Sequence, residues 1–216
     1  MNVILLDIDG PLNSYLDYER IEEFVERDKI TDKRVSWDER NLHCFQDEMG
    51  VRFFDSRNNN FAGGHGDFVD NIKAERLSRL ARETDSVIVG ISSWFGYTAG
   101  LSEFDYIKRI GDFLDVDIVE IGPDTSGGEG RVRGVVQWCL INQPERVLVI
   151  DDQKYHYLDY GCRKIWLDLP REGFTEEMYE EAKAILTGPM MQFQPVGNGM
   201  NVELVEIGKD GRWKCS

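Results

Sequence analysis

Histidine and cysteine are scarce in this chain of 216 residues, and positive charge runs well behind negative. The three histidines, His43, His65 and His156, are scattered, which argues against a histidine-held metal. The four cysteines, Cys44, Cys139, Cys162 and Cys215, form no Cys-x-x-Cys pair. That fits reduced thiols in a cytosol better than a disulfide frame or a zinc ribbon. Lysine and arginine number 25 against 40 aspartates and glutamates, a net charge of −15. A broad nucleic-acid or anionic-membrane surface is disfavoured, because phosphates are repelled at long range, although a locally basic pocket remains compatible. No apolar run approaches the ~20 residues that span a bilayer, and the N-terminus lacks the basic and apolar regions of a secretory signal. The expectation is a cytoplasmic protein with no membrane partner. With 41% hydrophobic and 30% charged residues, the chain is long enough for one full domain and globular rather than disordered.

What is present is a set of short β-rich runs. Val3-Ile4-Leu5-Leu6, Val87-Ile88-Val89-Gly90-Ile91 and Val147-Leu148-Val149-Ile150 are apolar without alternation. Such runs are strands buried on both faces of a parallel sheet. Ile118–Ile121 and Lys164–Leu167 are weaker strands. Helical spacing fills residues 70–84, Phe104–Leu114, Val132–Ile141 and Thr175–Leu186, the last opening on Thr175-Glu176-Glu177 with acids in its first turn. The alternation predicts an α/β, Rossmann-like parallel sheet with helices on both faces. Two stretches fall outside it. Residues 14–68 are expected to be an insert or small cap after the first strand, between core segments 1–13 and 69–186. Residues 187–216 are expected to carry a C-terminal β-hairpin, with Asn201–Ile207 turning at Gly208-Lys209-Asp210-Gly211.

In an open parallel sheet the functional crevice lies beyond the carboxyl ends of the strands. Here those ends are Asp7-Ile8-Asp9-Gly10, Ser92-Ser93 and Asp151-Asp152. Four converging carboxylates repel one another unless a cation sits among them, and hard oxygen ligands suit Mg²⁺. Asp7 and Asp9 can divide the work of attacking phosphorus and protonating the leaving oxygen, while Ser92 holds a phosphoryl oxygen. A cationic side chain is also wanted there. Arg133 can supply it, and Arg131 and Lys154 are near enough to substitute.

In this order the motifs resemble the haloacid dehalogenase (HAD) superfamily of phosphohydrolases. The resemblance rests on Val3–Gly10, Ile91-Ser92-Ser93-Trp94, Arg133 and Val147–Asp152. Closer still is the HAD domain of Swiss-Army-knife RNA-repair proteins, through Leu12-Asn13, Trp94, Arg133-Gly134 with Trp138, Leu167-Asp168 and Gly173–Glu177. It covers residues 1–13 and 70–186. Pro11 departs from the family's usual valine or threonine, and Phe95 from the arginine this branch often has. The resemblance implies Asp7 as nucleophile, forming an aspartyl-phosphate, and Asp9 as general acid and then base. Ser92 would bind the phosphoryl group, with Ser93 the alternative, and Arg133 would take the cation's role. Mg²⁺ would be held by Asp7, the backbone carbonyl of Asp9, Asp151 and Asp152. Trp94, with Phe95 and Tyr97, could stack a nucleobase at the mouth or simply pack the adjoining helix.

The substrate expected is a nucleotide or similar small phosphate, with a 3′- or 5′-phosphate at a nucleic-acid end as the alternative. Two other classes stand beside this one. A phospho-acceptor receiver domain usually has adjacent acids after its first strand, and here Ile8 separates them. An inactive HAD-like binding module would have little reason to keep four clustered acids.

Overall fold

The computed structural model describes residues 1–17, 19–20, 23, 50–53, 68–96, 101–122, 128–153, 165–196 and 201–207. Its centre is a four-stranded sheet of β1 (Asn2–Leu6), β4 (Ser86–Gly90), β5 (Ile118–Ile121) and β6 (Arg146–Ile150). The order is β5-β4-β1-β6, every pair parallel, with Val3 opposite both Val87 and Val147. The three strongest apolar runs are thus the three neighbouring strands β4, β1 and β6. Lys164–Leu167, expected as a strand, shortens to one parallel bridge between Val149 and Trp166, within its described residues 165–167.

Because side chains alternate along a strand, the sheet has two apolar faces. Ile4, Leu6, Ile88, Leu148 and Ile150 point to one of them. There they meet α1 (Asn71–Glu83), α2 (Glu103–Leu114) and α4 (Glu176–Thr187) through Leu77, Ile110, Tyr179 and Leu186. Val3, Leu5, Val89, Val147 and Val149 point to the other, against α3 (Gly128–Asn142) through Val132, Val135, Val136 and Cys139. Three of the helices start on side-chain caps. Asp70 accepts from the N–H groups of Ile72 and Lys73, Ser102 from that of Asp105, and Thr175 from that of Met178.

A C-terminal hairpin is present, but Asn201–Ile207 pairs backwards. Its antiparallel partner is the preceding β7 (Met190–Val196), so Asn201–Ile207 becomes β8. The expected turn at 208–211 lies outside the described residues. Phe193 and Val202 seat the hairpin on the α3 side of the sheet. Of the insert, the structure describes helical residues 15–17, 19–20 and 23 and a two-stranded ribbon, β2 (Val51–Phe53) with β3 (Phe68–Asp70). The polar loop at 57–66 lies outside the described residues.

Candidate active site

Asp7 is the first residue past β1, and its N–H still donates to Ile150 of β6 at 2.9 Å. The ladder therefore fixes where its side chain begins. That side chain is almost wholly buried. Its Oδ1 accepts from the N–H of Ile8 at 2.9 Å, and its Oδ2 from Nη1 of Arg131 at 2.6 Å. Arg131 Nη1 also reaches Asp151 Oδ2, at the end of β6, at 3.0 Å. One guanidinium thus bridges the ends of two adjacent strands. Its Nε is buried and without a hydrogen-bond partner among the described residues.

Gly10 turns the chain after Asp9 with φ of +85°, and a Cβ there would lie 2.7 Å from Asp152. Only glycine meets both requirements, so the first loop and Asp152 can lie in contact. Carboxylate oxygens of Asp7, Asp151 and Asp152 all fall within 4.8 Å of one another. Burial, then the neighbouring Asp151 charge, push the Asp7 carboxyl up to about 7, against the pull of Arg131 and a Ser92 hydrogen bond. Burial and then Asp151 also raise Asp152. Arg131 is held above its usual value because the charges of Asp7 and Asp151 outweigh its burial.

Ser92 is completely buried after β4, and its side chain helps to hold the Asp7 carboxyl down. The N–H of Trp94 donates to Ser92 Oγ at 3.3 Å. Ser93 begins the following short 3₁₀ turn and is exposed. Asp9 is half-buried, with Oδ1 accepting from Asn13 Nδ2 at 2.7 Å and Trp94 Nε1 at 3.0 Å. The Trp94 ring is half-buried against the core, so its polar edge faces Asp9. Tyr97 lies outside the described residues.

Arg133 does not join this group. It is exposed on α3, and its Nη2 pairs with Glu129, one turn back, at 3.1 Å. Two helical residues turn the chain through ~200°, so Arg131 and Arg133 face opposite ways. The cation beside Asp7 is Arg131, and Lys154 lies outside the described residues. The helical period carried this signal: Arg131 stands four residues before Val135 on the stripe that packs the sheet, whereas Arg133 does not. Asn13, completely buried, is the other residue whose place at the site composition did not reveal.

Three clustered carboxylates against one bridging arginine leave an excess of negative charge where two of the acids are buried. A hard divalent cation fits that donor set. Among the described residues, Asp7, Asp151 and Asp152 are the side chains able to hold it.

A family model described as the HAD domain in Swiss Army Knife RNA repair proteins matches residues 3–178, from β1 into α4. No curated protein and no solved structure matches the chain.

Proposed function

The chain belongs to the family of HAD domains in Swiss Army Knife RNA repair proteins, and from that premise we propose a Mg²⁺-dependent phosphomonoesterase that works through an aspartyl-phosphate on Asp7. Membership implies a phosphatase-type hydrolase. The observation that carries the finer reading is the buried Asp7 carboxylate at the end of β1, bridged by Arg131 to Asp151 and crowded by Asp152.

Bound at Asp7, Asp151 and Asp152, Mg²⁺ would neutralise charge on the acids and on the phosphoryl oxygens. This chain's residues do the rest. Arg131, whose Nε has no partner among the described residues, and the buried Ser92 hydroxyl bind phosphoryl oxygens. Asp7 attacks phosphorus as the ester P–O bond breaks, and Asp9 gives its proton to the departing oxygen. Asp9 then takes a proton from the water that attacks phosphorus of the Asp7 acyl phosphate; the Asp7–phosphorus bond breaks, phosphate leaves and both carboxyl groups are restored. Ser93 and Arg133, exposed, have no part in this scheme.

The substrate we propose is a nucleotide or similar small phosphate in the cytoplasm. The family's description supports a second reading, a terminal phosphate on RNA, against which stands the net charge of −15. Residues 14–68 act as a small cap over the core at 1–13 and 69–186 in either case. Among the described residues no helix is long and apolar enough to cross a membrane.

The test is phosphate release from nucleoside monophosphates and from 3′- and 5′-phosphorylated oligonucleotides, with Mg²⁺ or EDTA. We expect Mg²⁺-dependent release that Asp7→Asn reduces at least a thousandfold. Near-wild-type release by that variant would remove Asp7 from its role. A folded protein releasing nothing would leave an HAD-like binding module.

A further inference from the structure

The carboxylate of Asp9 is held asymmetrically. Both of its side-chain partners, Asn13 Nδ2 at 2.7 Å and Trp94 Nε1 at 3.0 Å, donate to the same oxygen, Oδ1. Among the described residues nothing hydrogen-bonds Oδ2. Neither donor is free to turn away. The Asn13 side chain is completely buried, and its Oδ1 accepts the N–H of Gly10 at 2.9 Å. That bond fixes which end of the amide is the donor facing Asp9. Trp94 is tied from behind, where its carbonyl accepts the Tyr106 hydroxyl of α2 at 2.8 Å, and its N–H supports Ser92. One tryptophan therefore links the Ser92 end of β4, the Asp9 loop and α2.

Two donors on one carboxylate oxygen concentrate negative charge there and leave the other oxygen to carry a proton. We propose that Trp94 and Asn13 are positioning residues that make Oδ2 of Asp9 the proton carrier and aim it at the ester oxygen, fitting the site to phosphate esters of alcohols such as sugar hydroxyls. The inference rests on the phosphatase reading above. In the first step the Asp7–P bond forms, the P–O ester bond breaks and the Oδ2 proton moves to the alkoxide oxygen. In the second, water attacks phosphorus, its proton goes to Oδ2 and the Asp7–P bond breaks. An alkoxide is a poor leaving group and needs that proton early. A nitrophenolate leaves without it. The device therefore matters for one class of ester and hardly for the other.

Trp94→Phe keeps an aromatic ring and removes the N–H. Turnover of a nucleoside 5′-monophosphate should fall about tenfold, equivalent to ~1.4 kcal/mol, with KM within about twofold of wild type. Turnover of 4-nitrophenyl phosphate should stay within about twofold of wild type. Tyr106→Phe, which leaves the indole in place but frees its backbone from α2, should show the same selectivity at smaller amplitude, and serves if Trp94→Phe does not fold. Independently of turnover, the ¹⁵N-indole resonance that Trp94→Phe removes should shift in Asp9→Ala. Equal losses on both esters, a rise in KM alone, or an unmoved indole resonance would overturn the inference while leaving the phosphatase standing. A wild-type protein inactive on both esters would overturn the phosphatase reading, and this inference with it.

Discussion

Two clusters of buried charge lie within ten residues of each other on the first loop, and they are built to opposite rules. In the first, Asp17 Oδ2 accepts from the Ser14 N–H and hydroxyl, each at 2.8 Å, and from Lys73 of α1. Lys73 also donates to the Ser14 hydroxyl at 2.8 Å. One buried anion meets one buried cation. In the second, Asp7 and Asp151 share Arg131 with Asp152 close by, and the Arg131 Nε has no partner among the described residues. The first cluster is closed and ties the start of the insert to the core. The second is short of positive charge and keeps a donor in reserve, which is what a site for a cation and a phosphoryl group requires. Burial of charge alone does not mark function; the imbalance does.

The comparison breaks most easily at the closed cluster. Lys73→Met removes the buried cation of Asp17 and leaves only the half-exposed Arg20, 3.5 Å from its other oxygen; loss of one partner from a buried pair costs about 3–5 kcal/mol, and the remaining contact should keep this loss toward the lower end. Urea unfolding should show that loss, while the activity of each molecule still folded should change little. A variant of unchanged stability would make the closed cluster incidental, and one that is fully stable but inactive would make it part of the site.

Removing Arg131 should cost activity as well as stability, because its buried acids also lose their cation. Arg131→Ala takes away the guanidinium that bridges the acids and that the proposed scheme places on the phosphoryl oxygens, so kcat should fall roughly 10²–10³-fold, as when a transition-state donor is lost. Arg133→Ala, on the exposed side of α3, should leave kcat within about twofold. If Arg133→Ala were the damaging change, α3 would have to sit differently on the sheet.

That pair of arginines also marks how far the sequence could be read. β1, β4 and β6 were legible because double burial demands unbroken apolar runs, and the aspartates that end them were legible because the chain leaves the sheet there. Adjacency to Gly134 in the matched motif favours Arg133, whereas the helical period points to Arg131. A hairpin is legible in the alternation of Asn201–Ile207, but its partner β7, with Gln192, Gln194 and Pro195, has little strand character of its own. Asn13 and Trp94 were visible as residues, but the convergence of both on one oxygen of Asp9 depends on a loop closed by Gly10, which no spacing rule encodes.

The smallest effect bears on the imbalance itself. Asp7 has a folded-state value of about 7 against an ordinary 3.8, raised first by burial and then by Asp151. Between those values the folded protein holds a proton that the unfolded chain has released, so stability falls as pH rises through that window and levels off above it. Asp152 is raised too and acts with the same sign. Water entering the cleft relieves part of the strain, so the metal-free protein should lose roughly 2 kcal/mol between pH 5 and pH 8. Asp7→Asn removes most of that loss and should match or exceed wild-type stability at pH 8. Mg²⁺ should flatten the wild-type profile by favouring the ionised acids, and it should do so far less in Asp7→Asn. Thermal melts of both proteins at the two pH values, with Mg²⁺ and with EDTA, read all of this. A metal-free wild type that is instead more stable at pH 8 would mean that Arg131 fully balances the acids, and the two clusters would then differ in position but not in kind.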